Sequence, residues 1–262
     1  MEVRQIMENF YANSEEDARL TNRCGNVEYV TTMRYIEKYL RPGMRVIEIG
    51  AGTGRYSHAL ARAGYTVDAV ELTEHNIGIF NENTLPCEHV TITQGSATDL
   101  SAFSTGTYDI TLLLGPMYHL FTEDDKLAAL AEAIRVTKNG GVIFAAYCMS
   151  DASILQYGFR KGNIHALMER GMVDPVTFKA YSSPYEVFEL HRKQDIDELR
   201  GHFDVEQLHF VAADGYANHM RDVLGEMDEK TYELYLKYHL ATCENQDLIG
   251  YSNHTIDIFR KI

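Results

Sequence analysis

The chain has 262 residues, 45% of them hydrophobic, with 24 Lys and Arg against 38 Asp and Glu for a formal charge of −14. That length and apolar content suffice for one large domain with its own core, and the acidic balance, with no stripe of Lys or Arg, argues against a nucleic-acid partner. No apolar run reaches the ~18 residues of a membrane span, and "MEVRQIMENF" lacks the basic-then-apolar pattern of a leader, so the expectation is a cytoplasmic protein without a membrane partner.

Residues 1–40 are helical in pattern, with Met33, Ile36 and Leu40 on one side before Pro42-Gly43 ends the run. They precede the first strand and are expected to form an N-terminal helical cap over the strand ends. From residue 41 to 149 apolar strands alternate with amphipathic helices, which predicts a parallel sheet covered on both faces. "MRVIEIG" is the first strand, and "RYSHALARAG" follows as a helix with Tyr56, Ala59, Leu60 and Ala63 on one face and Gly64 as its stop. "YTVDAVEL", "HVTITQG" and "YDITLLLG" are the next strands, the last an unbroken apolar run suited to the sheet centre. Thr122 precedes the helix "EDDKLAALAEAIRVT", with Asn139-Gly140-Gly141 as its expected stop, and "VIFAAYC" is strand five.

Beyond residue 149 the regularity loosens. Residues 150–182 read as an insertion across one face of the sheet, and a helix is expected after Pro184. "VEQLHFVAA" and "HTIDIFRK" are two late strands separated by the helix "DEKTYELYLKYHLATC". The fold class is therefore α/β and Rossmann-like, with a cap at 1–40 and one domain at 41–262 whose insertions lie at about 150–182 and 215–250.

Function enters at "VIEIGAGTGRYS". Gly50, Gly52 and Gly54 alternate between a strand and a helix, so the backbone turns sharply and presents its N–H groups to a ligand. A dinucleotide fingerprint needs its third glycine at position 55, which is Arg55. Glu71 closes the second strand, where a carboxylate accepts hydrogen bonds from ribose hydroxyls. The alternative is that the glycines only permit tight packing and Glu71 is a solvated strand end; the strand–turn–helix context favours a nucleoside.

These motifs closely resemble those of class I S-adenosylmethionine-dependent methyltransferases, in their small-molecule subgroup. "VIEIGAGTG" is similar to the family's first motif, which implies cofactor contacts by Glu48, Gly50, Ala51, Gly52 and Gly54. "VDAVEL" is similar to the second, with Glu71 as ribose ligand beside Leu72. "GSATDL" resembles the adenine-contacting stretch, with Ser96 where Asp is common and Ala97 next to it. "YDITLLLGPMYHLF" resembles the fourth motif and brings Leu114 and Gly115, and "RVTKNGGVIFAAY" resembles the segment after it. The resemblance implies a seven-stranded, mostly parallel sheet with an antiparallel last strand, S-adenosylmethionine as cofactor, and a helix over it that carries Tyr11 and Arg19. Arg19 would pair with the methionine carboxylate or, as a surface alternative, with Glu15.

Methyl transfer is an in-line displacement that depends chiefly on positioning, and a base helps only where the acceptor must lose a proton. His119 and Tyr118, past the end of the fourth strand, are the candidates; His119 otherwise bonds a backbone carbonyl, and Tyr118 otherwise only packs. Tyr157, Phe159, His165, Tyr216 and His219 are candidates for the walls of an acceptor pocket, or else ordinary packing residues. No metal is expected: Cys24, Cys87, Cys148 and Cys243 form no C-x-x-C pair, and no two histidines have helical ligand spacing. The partner is a small-molecule substrate and the protein a monomer or homodimer. The competing readings are a non-catalytic S-adenosylmethionine-binding protein, a nucleic-acid methyltransferase and an NAD-dependent oxidoreductase.

Overall fold

The computed structural model describes residues 3–14 and 16–262. Helices α1 (Val3–Ala12), α2 (Glu16–Arg19) and α3 (Arg23–Tyr39) precede β1 (Arg45–Ile49), α4 (Arg55–Arg62), β2 (Thr66–Glu71), α5 (Glu74–Asn83), β3 (Val90–Gln94), β4 (Tyr108–Leu113), α6 (Glu123–Val136) and β5 (Thr137–Met149). Next come α7 (Ser150–Ser153), which runs into a π-helical stretch at Ile154–Arg160, then α8 (Ile164–Glu169), β6 (Leu190–His191) and α9 (Lys193–Arg200). β7 (Val205–Ala212), α10 (Arg221–Glu226), α11 (Glu229–Thr242), α12 (Gln246–Ile249) and β8 (His254–Lys261) complete the order.

The strands lie in the order β3-β2-β1-β4-β5-β8-β7. β1 to β5 are parallel, and β8 runs antiparallel between β5 and β7. The chain winds outward from β1 in one direction through β3 and then in the other through β4 and β5. This reversal opens a crevice at the carboxyl ends of β1 and β4, where ligands of open α/β sheets bind. Val46, Ile47 and Ile49 of β1, Leu112 and Leu113 of β4 and Phe144 of β5 are fully buried, the signature of strands covered on both faces. The sheet carries one more strand than expected, the two-residue β6 paired to the end of β5.

Local chemistry sets the helix ends. The Asn22 side chain accepts the Gly25 N–H to start α3, and the Thr122 hydroxyl accepts the Asp125 N–H to start α6. α1 is fastened to α5 by Glu8, whose carboxylate accepts the N–H groups of Glu74 and His75 at 3.1 and 3.0 Å, two donors with no partner inside their own helix. Two expectations are corrected. α6 stops at Val136, ahead of Asn139-Gly140-Gly141, because Thr137 already enters β5; the glycines instead serve an irregular strand start, with Gly140 at φ +79° and a register shift opposite Tyr108 and Ile110. After Pro184 only a 3-10 turn forms, and the helix waits until Lys193, where Asp195 accepts the Arg192 N–H at 2.8 Å. Among the described residues no helix is long and apolar enough to cross a membrane.

Candidate active site

The glycine turn is stitched to the neighbouring strand, since the N–H groups of Gly50 and Ala51 both donate to Val70 O, at 2.8 and 3.0 Å. Gly50 and Gly54 sit at φ +76° and +92°, and a Cβ on Gly54 would lie 2.5 Å from the His58 ring and 2.6 Å from that of Phe80. Glycine is thus required there by both conformation and space. Glu71 is buried at 5% exposure, so the solvated strand-end alternative fails. Its Oε1 accepts from the Thr73 N–H (3.0 Å), the Thr73 hydroxyl (2.8 Å) and Asn76 Nδ2 (3.3 Å), while among the described residues Oε2 accepts only the Gly52 N–H, at 2.9 Å. The carboxylate is rigid and keeps a lone pair on Oε2 for a further donor.

A cavity of about 990 Å³ opens above this turn. Of the residues expected to hold a cofactor, Tyr11, Arg19, Gly50, Gly52, Glu71, Leu72, Ser96, Ala97, Leu114 and Gly115 line it, as do Tyr118 and His119. Glu48, Ala51 and Gly54 do not. The Glu48 carboxyl points into the core and accepts a short hydrogen bond from Ser57 of α4, and burial pushes its pKa up to about 8. Ala51 packs with Ala69 and Phe80, and Gly54 caps α4, so these three support the turn from behind. The Ser96 hydroxyl bonds Thr98 Oγ1 at 2.8 Å and shapes its own turn. Arg55 faces away, its guanidinium 4.6 Å from the Tyr29 ring centre.

His119 Nδ1 lies 2.8 Å from Val187 O and Nε2 lies 2.8 Å from the Tyr11 hydroxyl. A carbonyl only accepts, so Nδ1 carries the hydrogen and Nε2 accepts from Tyr11. Burial lowers the pKa of this ring and keeps it neutral. Val187 is held at φ +70°, a costly conformation for a β-branched residue, with its carbonyl turned toward the histidine. His119 thereby joins α1 to the loop before β6. Tyr118 is buried, its hydroxyl pKa raised far above the usual phenol range by desolvation, and its ring lies 5.6 Å from that of His254.

The far end of the cavity holds residues that the sequence did not single out. Asp214 follows β7 and His254 opens β8; because β8 is antiparallel, its first residue lies at the carboxyl end of β5, opposite Cys148. Asp214 Oδ2 accepts from His254 Nδ1 (2.7 Å) and Asn218 Nδ2 (2.6 Å), and Oδ1 from the Ser252 hydroxyl (2.7 Å) and the His254 N–H (3.1 Å). Glu28 of α3 lies 3.4 Å from the same His254 Nδ1 and 2.7 Å from the Arg19 guanidinium. The two carboxylates raise the His254 pKa well above 6.5 against the opposing effect of burial, and His254 with Ser252 holds that of Asp214 down. Ligand atoms of Glu28, Asp214 and His254 fall within 4.8 Å of one another, close enough for a cation. However, Arg19 and the protonated imidazole already balance the two carboxylates, so no metal is assigned. Arg19 thus lines the cavity and pairs with Glu28; Glu15, its surface alternative, lies outside the described residues.

Residues 150–182 contribute nothing to the lining, and 215–250 contribute only Asn218 and Arg221. Tyr157 and Phe159 are 52% and 53% exposed, His165 is exposed, and Tyr216 stacks on His219 at 4.6 Å outside the cavity. The excursion packs instead around its own small core of Ile154, Ile164, Leu167 and Val173.

Residues 46–141 match a family described as "Methyltransferase domain". The chain is 30% identical over 104 residues to a ubiquinone biosynthesis O-methyltransferase of Xanthomonas campestris pv. campestris (strain B100), covering 39% of this chain and 42% of that protein. It is 28% identical over 148 residues to a demethylmenaquinone methyltransferase of Staphylococcus aureus (strain MRSA252), covering 54% and 58%. The chain thus spans about half the length of the curated relatives it matches. Among solved structures, an S-adenosylmethionine-dependent methyltransferase of Thermotoga maritima, described as a possible histamine N-methyltransferase, superposes with a TM-score of 0.59 at 18% identity over all of both chains. Magnesium protoporphyrin IX methyltransferase from Synechocystis PCC 6803, solved with bound S-adenosylhomocysteine, superposes at 0.61 and 12% identity, again over both whole chains. At such identities these two show the fold alone. Sequence match, strand order and glycine turn agree: residues 46–141 are similar to a methyltransferase domain, and they lie in a sheet with the fold of S-adenosylmethionine-dependent methyltransferases.

Proposed function

We propose that the protein transfers the methyl group of S-adenosylmethionine to a small-molecule acceptor and releases S-adenosylhomocysteine. One observation carries this reading: the glycine turn and the fixed Glu71 carboxylate open into the same cavity of about 990 Å³ as a buried polar cluster at its far end. That volume is at the top of the roughly 300–1,000 Å³ range of ligand sites, room for a nucleoside and a second small molecule. When bound, S-adenosylmethionine supplies a methyl group on a positively charged sulfur. The protein's own part is to hold and enclose. Glu71 Oε2 takes a ribose hydroxyl, the backbone at Gly50 and Gly52 approaches without side chains, and Ser96 and Ala97 border the base. Tyr11 and Phe10 of α1, with Phe188, close the cavity against water. His119, neutral and occupied by Tyr11 and Val187 O, orients this closure.

The names of the curated relatives, a ubiquinone biosynthesis O-methyltransferase and a demethylmenaquinone methyltransferase, support a small-molecule acceptor. The Arg at position 55 disfavours a dinucleotide, and the acidic balance disfavours nucleic acid. Calorimetry with S-adenosylmethionine, S-adenosylhomocysteine and NAD tests the reading. Both sulfur nucleosides are expected to bind and NAD not to, and Glu71→Ala is expected to weaken binding by about 1–3 kcal/mol for the lost charged acceptor. Binding of NAD, or of none of the three, overturns the proposal; binding without methyl transfer across an acceptor screen would leave the non-catalytic reading.

A further inference from the structure

The far end of the cavity has unequal numbers of groups to give and to take. All four lone-pair positions of Asp214 are filled, by His254 Nδ1, the His254 N–H, Ser252 and Asn218. Glu28 accepts from Arg19 and faces the shared His254 proton. The imidazole hydrogen on Nδ1 is thus directed at two carboxylates, which leaves Nε2 as the edge of His254 that meets the cavity it lines. Of the arginines lining the cavity beside this cluster, Arg19 is paired with Glu28 and Arg221 donates to Asn218 Oδ1 at 2.7 Å. The remaining ionisable groups packed on the ring are the thiol of Cys148 and the phenol of Tyr118. Both are neutral when protonated, and Cys24 beyond them is held neutral by burial, with its pKa pushed up to about 11.

Building on the methyl-transfer reading above, we infer that His254, held by Asp214 and Glu28, receives the ionised oxygen of the acceptor at Nε2, and that the acceptor is an acidic hydroxyl compound of the phenol or enol kind. The protein binds that oxygen as its anion, its proton having passed to solvent. In the transfer an oxygen lone pair forms the new O–C bond while the C–S bond breaks and its electron pair stays on sulfur. Two opposite charges are annihilated, so no proton moves in that step and no further reactant is required. His254 touches the reacting oxygen and is a catalytic residue in this sense, whereas Asp214 acts through it and is a positioning residue. The raised pKa of His254 supports a ring that keeps its Nε2 hydrogen at neutral pH. A neutral alcohol gains little from such a donor, while an oxyanion gains a charge-assisted hydrogen bond in a site screened from water.

Ionisation of 4-nitrophenol and 4-nitrocatechol is visible by absorbance and needs no knowledge of the natural acceptor. The full chain is titrated with each probe across pH, with and without saturating S-adenosylhomocysteine. The expected result is a bound probe whose apparent pKa lies at least about one unit below its free value, equivalent to about tenfold preference for the anion. His254→Gln abolishes the shift and Asp214→Asn reduces it, while both keep their affinity for S-adenosylhomocysteine, which also certifies their fold. A wild-type site that binds the probes neutral, binds neither of them, or shifts them equally in a folded His254→Gln variant overturns the inference while leaving the nucleoside reading intact. Failure of the wild type to bind S-adenosylhomocysteine overturns the nucleoside reading instead, and the titration without it still judges His254. If a variant loses the nucleoside through misfolding, the wild-type shift alone decides.

Discussion

At one end of the cavity Gly50, Gly52, Glu71, Ser96 and Ala97 come from the ends of three successive strands, β1, β2 and β3, and are held by hydrogen bonds within and between adjacent strand ends. At the other end Glu28, Asp214 and His254 converge from α3, the exit of β7 and the entry of β8. The first end is backbone geometry, in which N–H groups and missing Cβ atoms do the holding. The second is charge, buried and balanced among side chains that only the sheet topology brings together. A site assembled by turns is fixed when each turn forms; one assembled by topology exists only when the whole sheet does.

The sharpest separation comes from removing the hub of the charged end. Asp214→Ala strands the His254 imidazolium, Ser252 and Asn218, and a buried pair broken on one side costs about 3–5 kcal/mol, to be read by urea unfolding. Its pH dependence is specific. The raised His254 pKa contributes stability that is complete below 6.5 and lost as pH rises through the folded value, and the lowered Asp214 pKa contributes stability lost as pH falls through its own. The variant should lack the acid limb and keep a smaller basic one, since Glu28 still faces His254. At the glycine end, Gly54→Ala must fit a Cβ against His58 and Phe80 at φ +92°. A loss of roughly 2–4 kcal/mol is expected, accompanied by weaker nucleoside binding. If Gly54→Ala proves harmless, the backbone account of that end is wrong.

Glu48 gives a pH test inside the glycine end. Its pKa rises from 4.5 to about 8 on folding, so the folded state binds the extra proton and stability falls as pH climbs between these values. Glu48→Gln should flatten that decline, with a gain of up to about 2 kcal/mol above pH 8. Tyr11→Phe removes the hydrogen bond to His119 Nε2 and is expected to cost about 1 kcal/mol, seen mainly as weaker nucleoside affinity because α1 closes the cavity. Tyr157→Ser, on the exposed excursion, should leave stability within about 0.5 kcal/mol and ligand affinity unchanged. A loss of binding there would return residues 150–182 to the site.

The strands, the cap helices and the glycine-turn residues were legible because their signals are local: alternation of apolar runs, Gly at forced φ, an acid at a strand end. Glu48 misled because an acid beside a glycine turn has the same pattern whether it faces the ligand or the core; its partner Ser57 decides, one helix turn into α4. The aromatics of 150–182 misled because composition does not tell an exposed face from a pocket wall. His254 carried only the pattern of a strand start. Its function follows from the reversed direction of β8, and the partners that define it are 40 and 226 positions away, at Asp214 and Glu28, where no spacing rule operates.

The placement of β8 has a consequence for how the chain is made. β7 touches the sheet only through β8, and residues 213–253 lie between the two in sequence. At about 5–20 residues per second of synthesis, β7 waits a few seconds on the ribosome before its partner strand emerges. Throughout that interval β5 and β7 both show naked edges to solvent, so the nascent protein has a window of exposure to chaperones and to other nascent chains that closes only when the segment beginning at His254 slides between them.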